Sequence, residues 1–167
     1  MYFICILSER PLARKSNPEP LMRLTQHVDY SLRVLMFLAV TPDGFGTIKQ
    51  ISEAYGISRN HLMKVVQALG RKGYVETTRG KGGGLALKDA PDQIIIGRVV
   101  RDMESDLALV ECLGTSNRCA IAPECRLKQL LVDALDAFLG VLDRRTLADL
   151  TAAPEPFVQL LALRRDA

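Results

Sequence analysis

Tryptophan is absent from this chain, and aromatic residues make up only 5% of it. A core must therefore be built from Leu, Val, Ile and Ala. Apolar residues are 48% of the total, enough for such a core and too many for wholesale disorder. Histidine is scarce as well. His27 and His61 are the only two, and neither has a Ser or Cys arrangement that reads as a catalytic triad, so the chain is not expected to be an enzyme. No apolar run approaches the ~18–20 residues that a membrane span needs. The apolar stretch Met1 to Leu7 has no basic region before it and makes a poor signal peptide. Gly80-Lys81-Gly82-Gly83 lacks the spacing of a phosphate-binding GxxxxGK[ST] loop, and no Ser or Thr follows the Lys to take up Mg²⁺. Nucleotide binding is rejected on that ground. There is also no CxxC knuckle of the kind a structural zinc site usually carries.

What is present is local. The net charge of the 167 residues is only +3, yet Ser58 to Lys88 holds seven Lys/Arg and one acid, Glu76. That stretch is +6 and the remainder sums to −3. A basic segment in a nearly neutral chain is either a solvated face or a surface turned to a polyanion. Three of the four cysteines fall between positions 112 and 125, and Cys5 lies far away. An odd cluster of three, with no export signal, argues against a disulfide framework.

Residues 1–21 stand apart. Arg10 to Pro20 has the proline-rich, mixed-charge composition of a linker, and Met22 is followed at once by a patterned helix. The segment 1–21 reads as a disordered extension, with Met22 as the natural start. Thr25 is a plausible N-cap, after which Val28, Leu32, Leu35, Met36 and Ala39 recur at helical spacing. Pro42-Asp43-Gly44 ends that helix. A short helix from Ile48 to Tyr55, a Gly56-Ile57 turn and a helix capped by Ser58 and running to about Lys72 make a helix-turn-helix. Gly73 terminates it. Tyr74 to Thr78, a glycine-rich tip and Leu85-Ala86-Leu87 read as a β-hairpin, the wing of a winged helix. The unit spans 22–90.

Segment 91–125 reads as a connecting helix, Ile94 to about Glu104, and a loop from about Glu111 to Cys125. From Arg126 the pattern Leu127, Leu130, Leu131, Ala134, Leu135, Phe138, Leu139 and Leu142 continues for more than four turns. A helix so long and one-sided must bury its stripe against a partner subunit or against its own domain. Pro154 and Pro156 mark a tail ending in Arg164-Arg165, so 126–167 is a helix followed by a tail. The expected fold class is mainly α: a winged helix-turn-helix with a small β-hairpin wing and a long C-terminal dimerisation helix.

A recognition helix offers polar side chains at its N-terminal end. Here these are Ser58, Arg59, Asn60, His61 and Lys64. Arg can bond guanine bidentately and Asn can bond adenine, while Ser and Lys suit bases or phosphates. A lone His such as His61 also fits an ordinary surface position. Arg79 and Lys81 at the wing tip suit a minor groove or phosphates, and Arg33 on the first helix is a further candidate DNA contact. The gaps of six and five residues between Cys112, Cys119 and Cys125 suit a loop wrapped around an iron–sulfur cluster, but they also allow zinc or thiol redox chemistry.

Several stretches carry a family resemblance. They are Arg23-Leu24-Thr25 with Asp29-Tyr30, the run Tyr55 to His61, Gly73-Tyr74-Val75 with Arg79-Gly80-Lys81, the run Ile121 to Lys128, and Arg145 to Leu150. From Met22 to about Leu161 the chain resembles the nitric-oxide-sensing repressors of the NsrR type, iron–sulfur winged-helix regulators whose family also includes IscR. The resemblance implies a cytoplasmic homodimer on double-stranded operator DNA, with the long helices of the two subunits crossing. It implies a cluster near the dimer interface, 4Fe–4S by preference with 2Fe–2S as the alternative, held by Cys112, Cys119 and Cys125. The remaining ligand would be Asp29, reaching over from the other subunit; its plainer role is favourable charge in the first turn of a helix. The signal would be nitric oxide, and the controlled genes those of nitric oxide detoxification. Two departures stand out. The first cysteine gap is at the long side for this family. IscR-like members carry a His three residues after the third cysteine, where this chain has Lys128, which disfavours the IscR-like reading.

Overall fold

A computed structural model describes residues 24–78, 80, 83–114 and 118–161. Residues 1–21, Cys5, Arg79, Lys81 and the end of the tail lie outside the described residues. The architecture is mainly α with a small antiparallel sheet, as the sequence indicates.

The first helix, α1 (Gln26–Val40), starts where Thr25 caps it by accepting a hydrogen bond from the Val28 amide. It runs through the middle of the molecule. Val28, Val34, Leu35 and Leu38 have no exposed surface, and Phe37 has almost none. Each such side chain contributes ~1.5–3 kcal/mol by burial. The chain then makes a two-residue strand, β1 (Phe45–Gly46), that the sequence pattern does not announce. Helix α2 (Ile48–Tyr55) opens on a reciprocal capping box between Thr47 and Gln50 and ends at Gly56, whose φ of 65° is left-handed. Helix α3 (Arg59–Lys72) is capped by Ser58, which accepts from the His61 amide. Its buried stripe is Leu62, Val65, Val66 and Leu69, as the spacing requires, and Gly73 closes it with φ 81°.

The wing follows directly. Strand β2 (Val75–Thr78) pairs antiparallel with β3 (Gly84–Leu87), Val75 opposite Leu87 and Thr78 opposite Gly84. Strand β1 adds to the other side of β3, giving the order β1-β3-β2. Gly84 is required here, because a Cβ at this position would stand 2.3 Å from the Phe45 ring and 2.6 Å from the Gly46 carbonyl oxygen.

Helix α4 (Ile96–Met103) buries Ile96, Val99, Val100 and Met103 in the same core. The cysteine segment is a loop with two short 3-10 turns, Glu111–Leu113 and Ala122–Glu124. Helix α5 (Arg126–Asp143) is 18 residues long, about 27 Å. Two short helices follow, α6 (Leu147–Leu150) and α7 (Pro154–Leu160). The sequence marks a tail at Pro154 and Pro156, where α7 forms instead. Leu147 is fully buried, and backbone bonds from the Leu147 amide to the Ile94 carbonyl and from the Ile96 amide to the Arg145 carbonyl sew it to the start of α4. Pro154 starts α7 rather than preventing it, because a first-turn residue has no intrahelical N–H partner to lose.

One core therefore runs from α1 through the wing and α4 to α5 and α6. Helix α5 touches it with only part of its apolar surface. Leu139 is buried and Leu135 and Leu142 pack against the core, whereas Leu127, Leu130, Phe138 and Val141 are exposed.

Candidate nucleic-acid interface and cysteine loop

Burial of Leu62, Val65, Val66 and Leu69 fixes which side of α3 faces outward. Between Arg59 and Gln67 the exposed positions are Arg59, Asn60, His61, Met63, Lys64 and Gln67, and Arg71 and Lys72 are exposed at the helix's far end. All four of the helix's expected contact residues are among them. Ser58 is exposed too, but its hydroxyl oxygen is already engaged as the cap. Arg59 leans toward Glu53 of α2, with 3.7 Å between guanidinium and carboxylate. Both groups are more than half exposed, so the pair is weak and leaves the guanidinium available to a stronger acceptor. The Tyr30 and His61 rings lie 6.3 Å apart. Together with Gln26, His27, Lys64 and Val65 they line an open pocket of about 130 Å³ beside the N-terminal half of α3.

Met63 and Gln67 were missed by the sequence reading. The signal was present: both sit four residues apart on the face opposite the buried stripe, and Met63 is half exposed. An exposed apolar side chain among polar ones on this face suits a thymine methyl group, and Gln can bond adenine.

Arg33 is engaged within its own helix. Its Nε donates to Asp29 Oδ1 at 3.0 Å, and a terminal guanidinium nitrogen stands 2.8 Å from Oδ2. The same guanidinium lies 6.0 Å from the centre of the Tyr30 ring and 5.8 Å from that of Tyr55. The Tyr55 hydroxyl is buried with no hydrogen-bond partner among the described residues. Burial raises its pKa, and the nearby Arg33 charge partly offsets this. Asp29 and Arg33 thus lie at the junction of α1 and the helix-turn-helix rather than on the outward face of α3.

The three cysteines share the loop between α4 and α5. Cys112 lies in the first 3-10 turn and is half-buried, Cys119 is exposed, and Cys125 is half-buried at the N-cap of α5. Among the described residues no group of three His, Cys, Asp or Glu side chains is spaced to hold a metal ion, so the thiols are not gathered. The chemistry of the donor set nevertheless suits an iron–sulfur cluster. Three cysteine sulfurs on one loop are the ligand type such clusters take, and Arg118, Arg126 and Lys128 flank them. Cys125 makes no side-chain capping bond to α5, which leaves the first-turn amides and the helix dipole to favour negative charge at that end. Two open apolar hollows flank the loop along α5. One of about 470 Å³ includes Leu24, Leu107, Leu135 and Phe138, and one of about 540 Å³ includes Leu113, Gly114, Val132 and Leu135.

A helix-turn-helix whose second helix presents a polar face, joined without a break to a β-hairpin, defines a winged-helix DNA-binding protein. The particular family follows from comparison with known proteins. Residues 24–153 match the Rrf2 family, described as an iron-dependent transcriptional regulator, and the chain belongs to that family. It is 52% identical over 145 residues to the HTH-type transcriptional regulator NsrR of Bacillus subtilis (strain 168), covering 86% of this chain and 99% of the relative. It is 47% identical to the NsrR of Geobacillus kaustophilus (strain HTA426), again over 86% and 99%. Among solved structures it is similar to CymR, the global cysteine regulator of B. subtilis, with a TM-score of 0.64 at 27% identity over 79% of this chain and 98% of that one. The fold is also that of T. potens IscR, with a TM-score of 0.64 at 24% identity over 81% and 90%. The family is one of transcriptional regulators and not of enzymes. Among the described residues no helix is long and apolar enough to cross a membrane.

Proposed function

We propose that this chain is a cytoplasmic repressor that binds palindromic operator DNA as a homodimer and is relieved by nitric oxide through an iron–sulfur cluster, 4Fe–4S by preference. The observation that carries the reading is the position of the cysteine loop. It joins α4, which packs on the DNA-reading unit, to α5, whose exposed apolar stripe suits a second copy of the chain. The near-complete coverage of NsrR-named relatives supports the same reading.

Cys112, Cys119 and Cys125 would hold the cluster, and Asp29 of the partner subunit would complete the set. When bound, the cluster would supply iron as the centre that responds to nitric oxide. The chain's own residues do the rest. The exposed side of α3 offers Arg59, Asn60, His61 and Lys64 to base edges and phosphates, with Ser58 at its start. Arg79 and Lys81, which fall between β2 and β3 in the sequence, would add charge to that surface. In a two-fold dimer the two recognition helices would stand about one DNA turn apart, roughly 34–36 Å. Asp29 has two possible fates. Its carboxylate either pairs with Arg33 of its own helix, as it does here, or leaves Arg33 to serve as a ligand. The choice alters the charge beside Tyr30 and Tyr55, at the base of the helix-turn-helix. Coupling of this kind typically changes affinity about 5–150-fold. Controlled genes would be those that detoxify nitric oxide.

The test is an anaerobic preparation titrated with nitric oxide while absorbance and DNA affinity are followed together. A brown protein containing iron and sulfide should bleach and lose operator binding in parallel. A colourless protein with zinc or free thiols, or bleaching with unchanged affinity, would end this reading. Cys119→Ala should purify colourless.

A further inference from the structure

Two neighbouring residues of α4 make ion pairs in different directions. Successive helical positions point about 100° apart, so Arg101 and Asp102 meet different neighbours. Arg101 donates through both terminal nitrogens to the Asp143 carboxylate at the last residue of α5, at 2.5 and 2.8 Å. Asp102 accepts from the Tyr74 hydroxyl at 2.6 Å and from Lys72 Nζ at 3.0 Å. Lys72 is the last residue of α3 and Tyr74 directly precedes β2, with left-handed Gly73 between them. One carboxylate therefore holds the corner where the recognition helix becomes the wing. Tyr74 is itself buried, which fixes the hydroxyl. At the other contact a Cβ added to Gly97 would stand 2.0 Å from Asp143 Oδ1 and 2.9 Å from the Asp143 amide nitrogen. Helices α4 and α5 thus meet too closely for any side chain at 97, and that contact cannot slide freely.

We propose that α4 is a splint that fixes the angle between α5 and the DNA-reading unit, with Arg101 and Asp102 as positioning residues for the half-site spacing. The inference rests on the reading of the chain as a DNA-binding dimer held through α5. In such a dimer the separation of the two α3 helices depends on how each reading unit is set on its own α5. None of Lys72, Tyr74, Arg101, Asp102 or Asp143 belongs to the outward face of α3 or to the cysteine loop. Their loss should alter where the two reading units stand, not what each one reads. Moving a half-site by one base pair shifts it by about 3.4 Å and about a tenth of a turn, so operator spacing is a sensitive gauge of the joint.

The experiment uses the full-length protein and a duplex that it selects from a randomised pool. Affinity is measured on that duplex, on versions with the half-sites moved apart or together by one base pair, and on a single half-site. Wild-type protein should prefer its own spacing by about tenfold or more, within the usual range of coupling between sites. Asp102→Ala and Arg101→Gln should flatten that preference to about threefold or less while single-half-site affinity stays within about twofold. Tyr74→Phe removes only the hydroxyl and carries the same test should Asp102→Ala fail to melt in one transition. Equal losses on every duplex, with the wild-type spacing preference intact, would overturn the proposal and leave a merely stabilising role. A wild-type chain that selects no two-fold sequence, or sediments as a monomer on DNA, would overturn the dimer reading and the splint with it.

Discussion

Leu130→Asp separates the two possible uses of α5. Leu130 is 62% exposed in the single chain, so an Asp there removes little packing within the chain. The fold should keep its stability to within about 0.5 kcal/mol, the usual effect of a surface substitution. If a second chain covers this stripe, the result at the interface is very different. Full burial of a Leu contributes ~1.5–3 kcal/mol, and the exposed share of Leu130 corresponds to about 1–2 kcal/mol of that. Two-fold symmetry counts each substitution twice, so about 2–4 kcal/mol of association is lost before the cost of burying a carboxylate. That weakens the dimer roughly thirty- to a thousandfold. Sedimentation across a concentration series measures the shift, and thermal melting at a fixed low concentration measures the fold. Leu139→Ala is the internal control. Leu139 is 6% exposed, so its truncation should cost the fold ~2–4 kcal/mol and lower the melting temperature at every concentration. An unchanged dimer constant for Leu130→Asp would refute the partner reading of α5.

Other consequences can be checked separately. Arg59→Ala should weaken specific binding by ~1–3 kcal/mol and relax the preference at one operator position; full affinity would mean that α3 docks on a different face. Gly84→Ala should destabilise the wing by ~1–3 kcal/mol, because the neighbours of the new Cβ include the Gly46 carbonyl, which cannot swing aside. Hydrogen exchange of β1 and β3 reads this directly, and unaltered protection would count against the close approach. The Tyr74 hydroxyl is held protonated by burial first and then by its bond to Asp102, so its pKa is raised above the ordinary 10.0. Its contribution to stability is complete below pH 10 and is lost as pH rises toward the folded-state value. Alkaline unfolding should therefore lose part of its pH dependence in Tyr74→Phe, and an identical profile would contradict the assignment. Asp102 has the opposite sign. Its pKa is lowered from 3.8, chiefly by the Tyr74 hydroxyl, so its share of stability is present at neutral pH and is lost only on acidification below about pH 4.

The fold was legible where local chemistry and periodicity agree. Thr25, Ser58, Gly56 and Gly73 each cap or end a helix where the sequence placed them, because caps depend on a few adjacent residues. The stripe Leu62, Val65, Val66 and Leu69 settled which side of α3 is outward. Strand β1 escaped notice because two residues carry no period, and it exists only through its pairing with β3. Helix α7 was hidden behind Pro154 and Pro156, and α6 is too short to show a period, so only the burial of Leu147 in the core shows why it is needed. The Asp102 clamp was invisible for a related reason. Lys72 and Tyr74 lie about thirty residues before Asp102, and nothing in the sequence marks that pairing.

The cysteine loop and α4 divide the work between identity and leverage. Three thiols on a loop can respond to chemistry, but a loop with few buried anchors cannot by itself move a helix. Among its described residues only Ala122 is buried between Glu111 and Cys125. Within one chain, a change there has two covalent routes toward α3, through the helices on either side of the loop. On one side it runs into α5, which ends on Asp143 against Arg101 and Gly97. On the other it follows α4, which holds Lys72 and Tyr74 through Asp102. Both routes therefore pass through α4, whose apolar side is locked into the core by Val99 and Val100. A change in the loop that displaces α5 would be passed through its fixed contact with α4 to the corner held by Asp102. A third connection runs from the Thr25 amide, at the start of α1, to the Glu104 carboxylate just after α4, at 3.0 Å. It ties the helix that carries Asp29 to the segment leading into the cysteines. The segment leading into the cysteines and the DNA-reading unit are thus joined at the C-terminal end of α4, through Asp102 and Glu104.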